Sequence, residues 1–123
     1  MAPASGYRLG QEIAQNRDVT AIFVANDDMA IGLIRALAEA GRRVPRDVSV
    51  VGFDDIPIAA YLSPPLTTVR PENETMAAVG LQRLVNYLEE PDAPPAPLPE
   101  HLHELVVRES ASRPARRRRA VVA

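Results

Sequence analysis

The stretch AIFVANDDMAIG, Ala21 to Gly32, passes from an apolar, β-branched run into Asn26, Asp27 and Asp28, and from there into a second apolar run. No Pro or Gly separates the halves. The first half lacks polar alternation, so Val19 to Ala25 is expected to be a strand buried on both faces, as in a parallel sheet. In the second, Met29, Ile31, Leu33, Ile34, Leu37 and Ala38 recur at helical spacing up to Gly41, which predicts a helix from Asp28 with a glycine C-terminal cap. VSVVGF, Val48 to Phe53, reads as a second buried strand. Strand, helix and strand within about 35 residues make a βαβ unit, whose strands lie parallel in one sheet. The expected fold class is therefore α/β, built from parallel-sheet βαβ units.

Upstream, Leu9 and Ile13 suggest a helix from Ser5 to Gln15, with Ser5 as its candidate cap. Downstream, Asp54-Asp55-Ile56-Pro57 leaves the second strand, and Ile58 to Leu62 is read as one helical turn. Pro64-Pro65 forces extended chain before a third strand, Leu66 to Arg70. Asn73 to Glu90 places Met76, Val79, Gly80, Leu84, Val85 and Leu88 on one face of the longest helix. The prolines between Pro91 and Pro99 end it and make an extended linker. His101 to Arg108 reads as a final strand. From Ser110 onward a tail is expected, disordered and Arg-rich over 113–123.

The 123 residues suit one domain, and 46% hydrophobic with 24% charged residues is ordinary globular composition. The absence of Cys removes disulfides, thiolate nucleophiles and Cys-based metal sites. Neither a leader-like start nor an apolar run of the roughly 20 residues a membrane span needs is visible, so a cytoplasmic protein with no membrane partner is expected. Net charge is -2, and four of the 14 basic residues are Arg116 to Arg119. The body is thus acidic and unsuited to general nucleic-acid binding. Every basic residue is Arg, which excludes chemistry needing a Lys amine.

Ligands of open α/β sheets bind at the carboxyl ends of strands. Two polar corners fall there: Asn26-Asp27-Asp28 and Asp54-Asp55. Neighbouring strands lie about 4.8 Å apart, so both corners can reach one small molecule. Capping competes for the first corner and an Asx turn for the second. One cap residue suffices for a helix, which leaves another side chain for the mouth of the sheet. A Mg²⁺ site for phosphoryl transfer is the enzymatic alternative, disfavoured because such sites usually add a Lys. No nucleophile elbow, dinucleotide fingerprint, P-loop or zinc-protease motif is present. His101 and His103 lack a third ligand partner, so no metal is assigned.

The ordered phrases AIFVANDDMAIG, ALAEAGRRVPRDVSVVGFDDIP, AAYLSPPLTTVRP and ELVVRES resemble the lactose-repressor (LacI/GalR) family of transcription regulators over roughly Ser5 to Ser112. The resemblance to periplasmic sugar-binding proteins is more distant; a solute-binding transport module is the alternative it offers. The family resemblance implies the C-terminal part of a periplasmic-binding-protein-like (type I) sensor domain, with 1–70 as C-lobe and 71–112 returning to the N-lobe. It also implies a small-molecule effector such as a sugar, a homodimer, and operator DNA reached only through a helix-turn-helix that these residues do not resemble. No cofactor and no catalysis are implied. Asn26 and Asp54 correspond to the family's ligand-binding amide and acid; Asp27 and Asp28 then look like helix-start residues and Asp55 like a turn residue, while Asp27 and Asp55, with Pro71 and Asn73, are also ligand-proximal candidates. Pro71, Glu72 and Asn73 stand where the family often has Gln-Pro and an aromatic, so Pro71 cannot supply that amide. Ile31, Ile34 and Tyr61 resemble dimer-interface positions.

Overall fold

The computed structural model describes residues 2–115. Three strands, β1 (Ala21–Phe23), β2 (Ser49–Phe53) and β3 (Thr67–Pro71), run parallel, and β4 (His103–Val106) pairs antiparallel with β3, giving the order β1-β2-β3-β4. The helices are α1 (Pro3–Ile13), α2 (Asp27–Glu39) and α3 (Asn73–Glu89), with a 3₁₀ turn at Pro57–Tyr61. The βαβ unit read from the sequence is thus β1-α2-β2, with Ile22 opposite Val50.

Helix α2 has well-defined ends. Asn26 caps its start, its Oδ1 accepting the Met29 N–H at 2.9 Å, and Asp27 and Asp28 place negative charge where the helix dipole favours it. At the other end Gly41 takes φ 71°, so that its N–H reaches the Ala38 carbonyl and the Arg42 N–H reaches that of Leu37. This is a Schellman closure, the termination expected for that glycine. Arg42 is buried and also donates to the carbonyls of Asn16 (2.8 Å) and Val19 (2.6 Å), tying the helix exit to the loop after α1.

The core gathers Met29, Leu33 and Leu37 of α2, Val48 and Val50 around β2, and Ala59 and Leu66. Each large aliphatic side chain there contributes about 1.5–3 kcal/mol relative to exposure. Helix α1 packs on α2 through Gly6 and Gly32. A Cβ on Gly6 would strike the Met29 carbonyl, and one on Gly32 the Pro3 carbonyl, so the two backbones touch where these glycines lie.

Four expectations need correction. Helix α1 starts at Pro3 and stops at Ile13; Ser5 lies inside it and donates to the Ala2 carbonyl instead of capping. Strand β1 is shorter than Val19 to Ala25 and is not buried on both faces, since Phe23 is 66% exposed. The reason is position: among the described residues β1 is the edge of the sheet and pairs only with β2. The final strand is His103–Val106, shorter than His101 to Arg108. Ser110 is no solvated tail residue: it is fully buried, its Oγ donates to the Val50 carbonyl at 2.5 Å and accepts the Thr67 N–H at 2.8 Å. Ser112 bonds reciprocally with the Ser49 hydroxyl. Arg116 to Arg119 lie outside the described residues.

Along α3 no residue is buried, and Leu81, Leu84, Tyr87 and Leu88 are exposed. The apolar face predicted there has formed without a covering element among the described residues.

Candidate functional site

The carboxyl ends of β1 and β2 carry the polar corners, and the fold sorts their side chains by neighbour. Asp27 is completely buried. Its Oδ1 accepts the Thr68 hydroxyl at 2.6 Å and its Oδ2 the Ile56 N–H at 3.0 Å, so one carboxyl group joins the start of α2, the loop after β2 and strand β3. Burial pushes its pKa up; the Thr68 and Ile56 hydrogen bonds pull it back, while the charges of Asp54 and Asp55 add to the rise. Gly52 makes the space, because a Cβ there would overlap Asp27 Oδ1. Both oxygens of this ligand-proximal candidate are therefore engaged inside the fold.

Asp55 is engaged as well. Its side chain is 8% exposed, with Oδ2 at 2.7 Å from Arg70 Nη2 and Oδ1 at 2.7 Å from Arg108 Nη2. Burial opposes its charge, but the Arg108 and then the Arg70 guanidinium outweigh it and hold its pKa below the usual carboxylate range. Arg70 also pairs with Glu104 of β4 at 3.0 Å.

The corner residues left accessible are Asn26, Asp28 and Asp54, of which Asp28 lies in the first turn of α2. Asn26 is half-buried; with Oδ1 committed to the cap, its amide nitrogen is the group left to donate. Asp54 is exposed, its backbone N–H fixed to the Val69 carbonyl at 2.9 Å. An amide donor and a carboxyl acceptor just beyond the ends of adjacent strands match a hydroxyl, which both gives and takes a hydrogen bond. Pro71, at the end of β3, is half-buried opposite His103, and Asn73 is exposed at the start of α3. His103 contacts the Phe53 ring at 5.7 Å.

With Asp27 bonded and Asp55 paired to arginines, few corner carboxylates remain for a cation. Among the described residues no group of three His, Asp or Glu side chains converges as a metal site.

The three interface candidates separate. Ile31 lines a shallow groove with Pro3, Tyr7 and Arg35, Ile34 borders another with Val44 and Pro64 while packing partly on the core, and Tyr61 is 85% exposed. Sequence reasoning passed over Thr68, Arg70 and Arg108, whose partners are distant in the chain. The only local signal was Gly52, since a glycine inside a strand marks a close approach.

Residues 2–111 match the family described as periplasmic binding protein-like domain, which is the class that this sheet and its polar rim define. The chain is 50% identical over 106 residues to the HTH-type transcriptional regulator MalR of Streptomyces coelicolor, covering 84% of the chain and 30% of that protein. It is 43% identical over 94 residues to the probable HTH-type transcriptional repressor ExuR of Bacillus subtilis, with 76% and 28% covered. Among solved structures, the lac repressor dimer bound to operator and the anti-inducer ONPF superposes with a TM-score of 0.73 at 32% identity, covering 89% of this chain and 38% of that one. A LacI family regulator from Lactobacillus casei with bound sucrose gives 0.68 at 32%, with 90% and 41% covered. The chain belongs to the LacI/GalR family of transcription regulators, as part of the sensor domain. It spans under a third of the length of the two regulators compared by sequence. Both are transcription regulators by name, and no described helix is long and apolar enough to cross a membrane.

Proposed function

We propose that this chain is the effector-sensing and dimerising portion of a cytoplasmic LacI-type regulator, and that it holds a sugar or similar hydroxylated metabolite against Asn26 and Asp54. The observation that carries the reading is the sorting of the corner carboxylates. Asp27 and Asp55 are consumed by the fold, which leaves Asn26 as donor and Asp54 as the acceptor at the end of β2, with the exposed Asp28 set back in the first turn of α2. A buried hydroxyl partner left unmatched costs about 1–3 kcal/mol, enough to discriminate between sugars. Solved relatives hold sucrose, glucose and ribose, which gives the panel to try first.

Residues 1–70 form the C-lobe in this reading, joined by β4, which pairs with β3 in the same sheet, and by Ser110 and Ser112, which bond to β2 and β3; of the 71–112 segment only α3 is assigned to the lobe that closes over the effector. Pro71 and Asn73 border the crossing between the lobes. Ile31, Ile34 and Tyr61 contribute to a homodimer. Operator DNA is contacted by a helix-turn-helix outside these residues, and effector binding shifts operator affinity through a coupling of roughly 1–3 kcal/mol. No catalysis is assigned. A thermal-shift screen of sugars on the regulator that carries this chain, followed by calorimetry on the hits, tests the site. Asp54→Asn and Asn26→Ala are each expected to weaken the hit at least about tenfold; parent affinity in both would overturn the reading.

A further inference from the structure

Asp54 and Asp55 both have positive φ, at 108° and 51°. An Asp tolerates the left-handed helical region near 51°, but 108° lies outside it, so the pair is strained for residues other than Gly. Such strain persists only where the surroundings over-determine the backbone. Three restraints do so here. The Asp54 N–H is held by the Val69 carbonyl at 2.9 Å and the Ile56 N–H by Asp27 at 3.0 Å. Between them the Asp55 carboxylate is held by Arg70 and Arg108, each at 2.7 Å. Arg70 is 45% exposed and shared with Glu104, whereas Arg108 is 17% exposed and anchored. Its Nη1 donates to the Leu66 carbonyl and its backbone N–H to Thr67 Oγ1, both at 2.9 Å.

We propose that Arg108 is a positioning residue for the effector site: by gripping the Asp55 carboxylate it keeps the Asp54–Asp55 turn left-handed and so aims Asp54 at the rim. The proposal rests on Asp54 being an effector contact. It gives the segment after β4 a hold on a group presented at the end of β2. An effector that pulls on Asp54 is then opposed or assisted by how firmly residues 107–110 sit at the base of the sheet.

The test uses the regulator that carries this chain, with sucrose, glucose and ribose as probes in calorimetry. Arg108→Leu is expected to weaken the bound sugar roughly tenfold or more, since the turn can then relax. Adding Asp55→Gly is expected to restore affinity, because glycine adopts the same φ without a clamp. A purely structural role for Arg108 predicts no such rescue, so a double variant as weak as Arg108→Leu overturns the proposal, as does Arg108→Leu with parent affinity. Where Arg108→Leu alone does not fold, it is introduced into the Asp55→Gly background; no further loss is expected there, and a loss overturns it. A crystal structure of Arg108→Leu needs no sugar: both residues are expected to leave positive φ, and their retention overturns the proposal. If no probe binds the parent, or Asp54→Asn binds as the parent does, the effector reading fails, and the crystallographic arm alone decides whether Arg108 holds the turn.

Discussion

Replacing Asp27 with alanine removes the one acceptor shared by the buried Thr68 hydroxyl and the Ile56 N–H. A buried donor left without a partner costs about 1–3 kcal/mol. Thr68 is fully buried and belongs at the upper end of that range; Ile56 is half-buried, can reach water, and belongs at the lower. Against this stands the relief of no longer holding a carboxylate in a site that disfavours its charge. The net loss is expected to be about 2–3 kcal/mol, with Asp27→Asn intermediate because one amide oxygen can serve only one of the two donors. The sharper test is Thr68→Val on the alanine background, which deletes the orphaned hydroxyl. The double variant should be more stable than Asp27→Ala alone, a coupling of about 1 kcal/mol. Urea melts followed by far-UV circular dichroism, compared at constant slope, measure all four corners of the cycle. Strict additivity, or an unchanged midpoint in Asp27→Ala, would show that the carboxyl group does not join the corners. The pH dependence has a fixed sign. Because the folded pKa is raised above 3.8, the advantage of the parent over Asp27→Asn is full below about that pH and shrinks as pH rises through the folded value; a widening gap would refute burial as the dominant influence.

Gly32→Val should separate α1 from α2, because the added atoms meet the Pro3 backbone and not a movable side chain; a loss of about 1–3 kcal/mol or more in the same melts is expected. Asp47, bonded by the Arg43 side chain and N–H, should titrate at about 2 by NMR, and Arg43→Gln should return it toward 3.8. Its depressed value stabilises the fold above the unfolded pKa, a contribution lost as pH falls through about 2. The uncovered face of α3 should make this chain on its own associate or melt at low urea; Leu84→Glu with Leu88→Glu should reduce association in sedimentation velocity, and an unchanged profile would count against that face. Ile31→Asp in the regulator that carries this chain should shift dimer toward monomer in the ultracentrifuge, and an unshifted pattern would remove Ile31 from the interface.

Local pattern sufficed wherever the deciding forces were local. The apolar period of α2, its polar start and its terminal glycine all lie within one stretch, so that helix and both its ends could be read directly. The burial of β1 could not, because it depends on whether a second strand lies beside it, and a run such as AIFVA looks the same at an edge as at the centre of a sheet. The same limit explains Ser110, a polar residue near the chain end whose partners at Val50 and Thr67 are strands apart in sequence.

The site shows the limit most clearly. Asn26, Asp27 and Asp28 are adjacent and chemically alike, and the assignment of Asn26 as ligand contact and Asp27 as helix starter described both only in part. Asn26 is also the cap, which orients its amide so that the nitrogen is the atom left for a ligand. Asp27 starts the helix and also closes the loop carrying Asp54, through Ile56 and Thr68, the latter 41 residues away. The cap is legible from spacing, since its donor Met29 lies three residues on, but the closure by Asp27 is not, because its donors sit on other elements. The consequence is mechanical: the two proposed contacts are each fixed by a neighbour facing inward, Asn26 through the cap and Asp54 through the bonds around it. A substitution at Asp27 or Arg108 should therefore disturb effector binding without either residue touching the effector.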